Sequence, residues 1–247
     1  MSGKLSSDLK RAGSYQIAMS DLDERMRSSQ QKREPNYEMI TAPLSDKYHR
    51  KISRLSWGGN FQYPGMLEIH VPGDGNCLFH CIASAYYIPY MDAIRDDYRE
   101  ARNVIVQLRE ELADKLYEKD EHGVMWYDKI SDGELRKLSE ENPEFLIDNI
   151  AEDLRRPVPV SNIYNSLISE LLNKDIYILH KEREDVYMTG SSYDKLYKER
   201  KSIVILAMEG HYNLVGISHG NNVNTHFSPR NSFIRHIKDR MLVLSKE

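Results

Sequence analysis

Pro72-Gly73-Asp74-Gly75-Asn76-Cys77-Leu78-Phe79-His80-Cys81-Ile82 takes the chain from a strand into a helix through a tight glycine turn. Upstream, Met66-Leu67-Glu68-Ile69-His70-Val71 alternates apolar and polar like a short strand. Downstream, Ile82, Ala83, Ala85 and Tyr86 continue an apolar helical face. The order is strand, turn, cysteine, helix, and it sets Cys77 at a helix mouth.

A thiol at that place meets the positive end of the helix dipole and free N–H groups, which favour the thiolate, the nucleophilic form. A free thiol with pKa about 8.5 is only a few per cent ionised at neutral pH, so a helix N-terminus and a histidine partner are expected to raise the reactive fraction. The same N–H groups can hold an oxyanion. Free cysteine is also among the most buried residue types, and Cys81, one turn further in, fits a packing role. The glycine-flanked approach to Cys77 does not, because a core helix needs no such turn. Cys77, His80 and Cys81 together make a poor zinc site, since tetrahedral sites draw ligands from more than one segment.

Asp74-Gly75-Asn76-Cys77-Leu78-Phe79 resembles the signature of the ovarian-tumour (OTU) family of cysteine proteases, which remove ubiquitin from proteins. A second motif, Gly210-His211-Tyr212-Asn213-Leu214-Val215, resembles the histidine segment of the same family and lies roughly 130 residues on. The resemblance spans about residues 66 to 230. It implies Cys77 as nucleophile, His211 as general base, Asn213 as its orienter and Asp74 in the active-site loop. It implies an α/β (α+β) OTU-like cysteine-protease fold, a mixed β-sheet packed between helices. The partner it implies is ubiquitin or polyubiquitin chains, or ubiquitin-like modifiers, with no cofactor and no metal. Two other readings stay open: an inactive ubiquitin-binding module, and a thiol hydrolase acting on another modifier.

The residues themselves support the choice of histidine among nine. If 211–217 form a strand, period two puts His211, Asn213 and Val215 on one face. An amide oxygen at Asn213 can then accept from one ring nitrogen and leave the other for the thiol. His226, in Thr225-His226-Phe227-Ser228-Pro229, has a poorer orienter behind it, and His80 leaves the same helix as Cys77 and is expected at the surface or the core edge.

With 247 residues, 40% hydrophobic and 29% charged, the chain can build one core of ordinary size with residues left over for an appendage. A net charge of −4 gives no reason to expect nucleic acid or a membrane surface as partner. Two cysteines four residues apart exclude a disulfide framework and point to a reducing, cytoplasmic compartment, and the protein is expected to be a monomer. No apolar run suits a secretory signal or a membrane span.

Residues 1–60 are expected to be a basic N-terminal extension, partly helical or flexible, and 61–247 the catalytic domain. Residues 1–55 hold 11 Lys/Arg against 7 Asp/Glu, while the remainder holds 23 against 31. Ile17, Leu22 and Met26 hint at a helix within 16–31, which would offer a surface for a second ubiquitin. Trp57 to Gly65 reads as an aromatic loop.

Ile94, Tyr98, Ala101, Ile105, Leu108, Leu112 and Leu116 predict one long amphipathic helix. Ser131-Asp132-Gly133-Glu134 matches a capping box, Asn142-Pro143 opens a helix that Pro157 stops, and Ser161 or Asn162 caps another with Leu167, Ile168, Leu171 and Leu172 inward. Asp175–Leu179 and Ser202–Ala207 read as buried strands.

Overall fold

A computed structural model describes residues 42–43, 51–131, 133–160, 164–188, 198–220 and 222–246. In chain order the elements are β1 (Ala42–Pro43), β2 (Ile52–Arg54), β3 (Met66–Ile69), α1 (Cys77–Tyr86), α2 (Ile88–Asp96), α3 (Tyr98–Lys115), α4 (Trp126–Ser131) and α5 (Glu134–Ser139). A 3-10 turn at Pro143–Phe145 follows, then α6 (Ile147–Arg155), α7 (Asn165–Leu172), β4 (Asp175–His180), β5 (Asp185–Tyr187), β6 (Ser202–Met208), β7 (His211–His219), β8 (Asn222–Asn224) and α8 (Ser232–Leu244). The strands form one mixed sheet in the order β1-β8-β7-β6-β4-β5, with β3 added to β7 and β2 to β3. Among the described strands only β4 and β6 run parallel, as expected of two apolar strands buried on both faces.

Period-two alternation divides the sheet's side chains between two cores. Leu67, Ile69, Ile176, Ile178, Ile203, Ile205 and Leu214 pack against α1, α2, α3, α6 and α7. Met66, Tyr177, Leu179, Val204, Leu206 and Val215 pack against Phe233, Ile234, Ile237 and Met241 of α8. The fold is therefore mixed α/β with helices on both faces of a mixed sheet. Asn231 starts α8 by accepting from the Phe233 N–H at 2.9 Å, and Arg240 ties the helix to Asp185 of β5 at 2.9 and 2.6 Å. The aromatic loop packs on the same helix, with Phe61 and Tyr63 against Phe233 and His236.

The helical expectations hold in position more than in extent. The long helix is broken at Asp97, whose side chain caps α3 by accepting from the Arg99 N–H at 2.8 Å, so Ile94 belongs to α2. Behind that cap Ala101, Ile105, Leu108 and Leu112 are buried as the spacing predicts. Asn142-Pro143 opens only the 3-10 turn, because Leu146 is extended (φ −60°, ψ 138°) before α6 begins; α6 does end ahead of Pro157. There is no capping box at Ser131: its hydroxyl donates back to Tyr127 O as the last residue of α4, and left-handed Gly133 precedes α5. Residues 161–163 lie outside the described residues, but α7 buries Leu167, Ile168, Leu171 and Leu172.

β1 and β2 share the sheet with everything else, so 42–43 and 52–54 are part of the folded body. The proposed helix at 16–31 lies outside the described residues. No helix among the described residues is long and apolar enough to cross a membrane.

Candidate active site

Cys77 is the first residue of α1, and the turn before it is fixed by contacts rather than by glycine alone. Gly75 has φ +85°, and a Cβ there would stand 2.2 Å from the Pro157 carbonyl oxygen, so the turn is pressed against the segment that follows α6. Asp74 binds the turn from inside. Its Oδ1 accepts from the Asn76 N–H at 3.0 Å and from His80 Nε2 at 3.1 Å, and its Oδ2 accepts from the Tyr98 hydroxyl at 2.7 Å. Burial works against this carboxylate, but the Tyr98 and His80 contacts and the Asn76 N–H outweigh it and hold its pKa below the usual range.

His80 is fully buried rather than at the surface or core edge, and its Nδ1 accepts from the Tyr90 hydroxyl at 2.7 Å. Placing the histidine one helical turn from Cys77 lets it reach back to Asp74, six residues earlier. It is a brace for the turn.

Arg109 of α3 is the second brace, and the residue pattern of that helix gives no hint of it. It is 1% exposed, and its guanidinium lies 4.4 Å over the Phe79 ring. It donates to the carbonyls of Leu154 at 2.5 Å and Asp153 at 2.8 Å, and to Arg156 O, satisfying the carbonyls at the end of α6. Its Nη1 also donates to Asn76 Oδ1 at 2.9 Å. An asparagine ahead of a helix ordinarily accepts from first-turn amides, but Asn76 makes no such bond. The N–H groups of the first turn are thereby left to the sulfur.

That thiol is not pre-ionised in the way a helix N-terminus alone predicts. Burial pushes the Cys77 pKa up; the N–H groups of Tyr212, Leu78 and Cys77 itself pull down, and the Asp74 charge adds to the rise. The desolvation wins because the residue is only 4% exposed. Cys81 is wholly buried and its thiol is pushed higher still.

β7 brings the other half. The Tyr212 N–H faces the Cys77 sulfur, and the His211 ring lies against the turn, its Nδ1 and Cε1 each 3.7 Å from where a methyl on Gly73 would stand. His211 Nε2 meets Asn213 Oδ1 at 3.1 Å, which leaves Nδ1 on the side of the turn. Asn213 is buried and fully committed: Oδ1 also accepts from the Val71 N–H at 3.0 Å, and Nδ2 donates to Glu68 Oε1 at 2.7 Å. Glu68, on the same face of β3, is bridged by Lys181 Nζ at 3.0 and 2.9 Å. His70 completes the cluster, its Nδ1 3.4 Å from Asn213 Nδ2 and its Nε2 3.0 Å from Ser53 Oγ. The structure thus brings Asp74, Cys77, His211 and Asn213 around one turn and adds Glu68, His70, His80 and Arg109.

His226 is elsewhere. It is buried against Tyr86, ring centroids 5.2 Å apart, at the far end of α1. Nine residues of helix separate that end from Cys77, about 13 Å.

A buried thiol at an uncapped helix start, with an imidazole against the turn that leads to it and one ring nitrogen of that imidazole held by an amide oxygen, is an arrangement suited to nucleophilic attack with general-base help. No family model and no curated protein matches the sequence. Among solved structures the chain is similar to an ovarian tumour (OTU) domain in complex with ubiquitin, at 18% identity over 73% of this chain and 84% of that one, with a TM-score of 0.42.

Proposed function

We propose that the protein is a deubiquitinating cysteine protease that hydrolyses isopeptide bonds at the C-terminus of ubiquitin. One observation carries the reading: the two OTU-like motifs meet in space, with the Tyr212 N–H on the Cys77 sulfur and the neighbouring His211 ring bound through Nε2 to Asn213 and lying against Gly73 of the turn. In this reading His211 Nδ1 takes the thiol proton as the sulfur attacks the carbonyl of ubiquitin's terminal glycine. The carbonyl π electrons pass to the oxygen, which the N–H groups at the start of α1 stabilise. Collapse expels the lysine amine, protonated by His211, and leaves a thioester; water then adds with His211 again as base and releases the ubiquitin carboxylate. The raised thiol pKa suits this order, because the proton leaves with the attack instead of before it.

The test is ubiquitin bearing a C-terminal electrophile. Labelling of Cys77, lost in Cys77→Ala and accompanied by cleavage of at least one diubiquitin linkage, is the expected result. A protein that neither labels nor cleaves ubiquitin, and instead processes another modifier or none, overturns it.

A further inference from the structure

Asn213 has two nearly isosteric ends, and only one of them can hold a protonated His211 Nε2. Its orientation is set by partners of fixed sign. The Val71 N–H can only donate and so demands Oδ1; the Glu68 carboxylate can only accept and so demands Nδ2. We infer that Glu68 is a positioning residue for the reaction: with Lys181 as its counter-ion, it locks the Asn213 amide so that Oδ1 faces His211. It also supplies, one residue removed, the negative charge that an uncharged orienter lacks. Glu68 is 4% exposed, and a carboxylate at that depth is retained only with such partners. The inference rests on the Cys77–His211 reading but not on ubiquitin.

The readout is therefore the rate of Cys77 alkylation by iodoacetamide, resolved by peptide mass spectrometry, which needs no ubiquitin. Glu68→Gln keeps the shape but presents both a donor and an acceptor, so the amide orientation is left to the Val71 N–H alone, without the second lock or the charge. A fall of roughly tenfold is expected, with the melting temperature little changed. In an Asn213→Asp background there is no orientation to select, and Glu68 faces a like charge across the same short contact. There, Glu68→Gln is expected to raise the rate. Opposite signs in the two backgrounds support the positioning role. Effects of the same sign, or none in the native background, overturn it, whatever ubiquitin assays show.

A second arm does not depend on a buried substitution. Lys181 is half-exposed, and Lys181→Met leaves Glu68 facing His70 and Asn213 among the described residues, with Lys51 and His211 beyond His70. Glu68 should then take up a proton more readily and lose its fixed sign, so the alkylation rate relative to the parent falls progressively as the pH is lowered. A pH profile superimposable on the parent's overturns the proposal.

Discussion

Cys77 and Cys81 differ by one helical turn, and that turn separates a thiol bordered by Tyr212 and the glycine turn from one with no exposed surface. Cys77→Ala is expected to abolish hydrolysis of a ubiquitin C-terminal fluorogenic substrate with little change in melting temperature. Cys81→Ala is expected to keep kcat and to lose about 1 kcal/mol of stability in a denaturant titration. The histidines divide in the same way. His211→Ala should be as inactive as Cys77→Ala, and the double variant little worse, since residues acting as a unit are not additive. His226→Ala should keep kcat, because its ring serves the packing on Tyr86. Activity surviving in His211→Ala but not in His226→Ala would mean that the base has been misassigned. At this scale what is legible is the proximity of two motifs that concentrate unusual residues, since the segments around Cys77 and His211 meet at one turn. Glu68 and Arg109 were illegible, because a charged residue in an alternating strand or an amphipathic helix reads as solvent-facing until the neighbouring element that buries it is known.

The elements show why apolar periodicity predicts helix faces better than helix ends. The pattern from Ile94 to Leu116 runs through Asp97 without interruption, yet a local side-chain cap there starts a new helix. Strands β4, β6 and β7 were legible as apolar or alternating runs of six or more residues, while β1, β2, β5 and β8 have two or three residues each and too little pattern to read. α8 carries an ordinary signal, Asn231 ahead of Phe233, Ile234, Ile237 and Met241, that lies outside the two motifs. The turn between β3 and α1 supports a prediction of its own. Gly75→Ala combines a left-handed backbone with a Cβ driven into the Pro157 carbonyl. It should lower kcat/KM at least tenfold and cost about 1–2 kcal/mol or more, whereas Gly58→Ala, with open space around it, should leave both unchanged. Comparable kinetics in the two variants would show that the turn need not be held where it is.

The whole molecule carries a buried histidine with an orphan nitrogen. Burial, with Lys174 and Lys201 nearby, pulls the His226 pKa down to about 3, and its Nε2 has no partner. A histidine depressed on folding contributes stability that is present above its unfolded pKa near 6.5 and is lost as pH falls toward 3. At pH 5 the loss is about 2 kcal/mol. His226→Phe keeps a ring against Tyr86 and should flatten the fall in denaturation midpoint between pH 7 and pH 4; an unchanged slope would place the acid sensitivity in other groups. The sheet also fixes where the basic N-terminal stretch can be removed. A cut after residue 55 takes β1 and β2 with it and bares the edge of β3, so a truncation meant to probe a second ubiquitin contact must end before Ala42.

β7 is paired unevenly along its length. Leu214 has Ile69 on one side and Ile205 on the other, whereas His211 has only Met208. The proposed base therefore stands at the end of the strand, three residues from Leu214, the first position paired on both sides. Amide hydrogen exchange should follow that gradient, fast at the His211 end and slow at Leu214, with the two positions converging only if the strand opens as one unit. Graded exchange carries a thermal consequence. Fraying of three residues dissolves the proposed catalytic register while the sheet persists, so on heating the proposed hydrolysis should stop reversibly, and return on cooling, several degrees below the temperature at which the molecule unfolds.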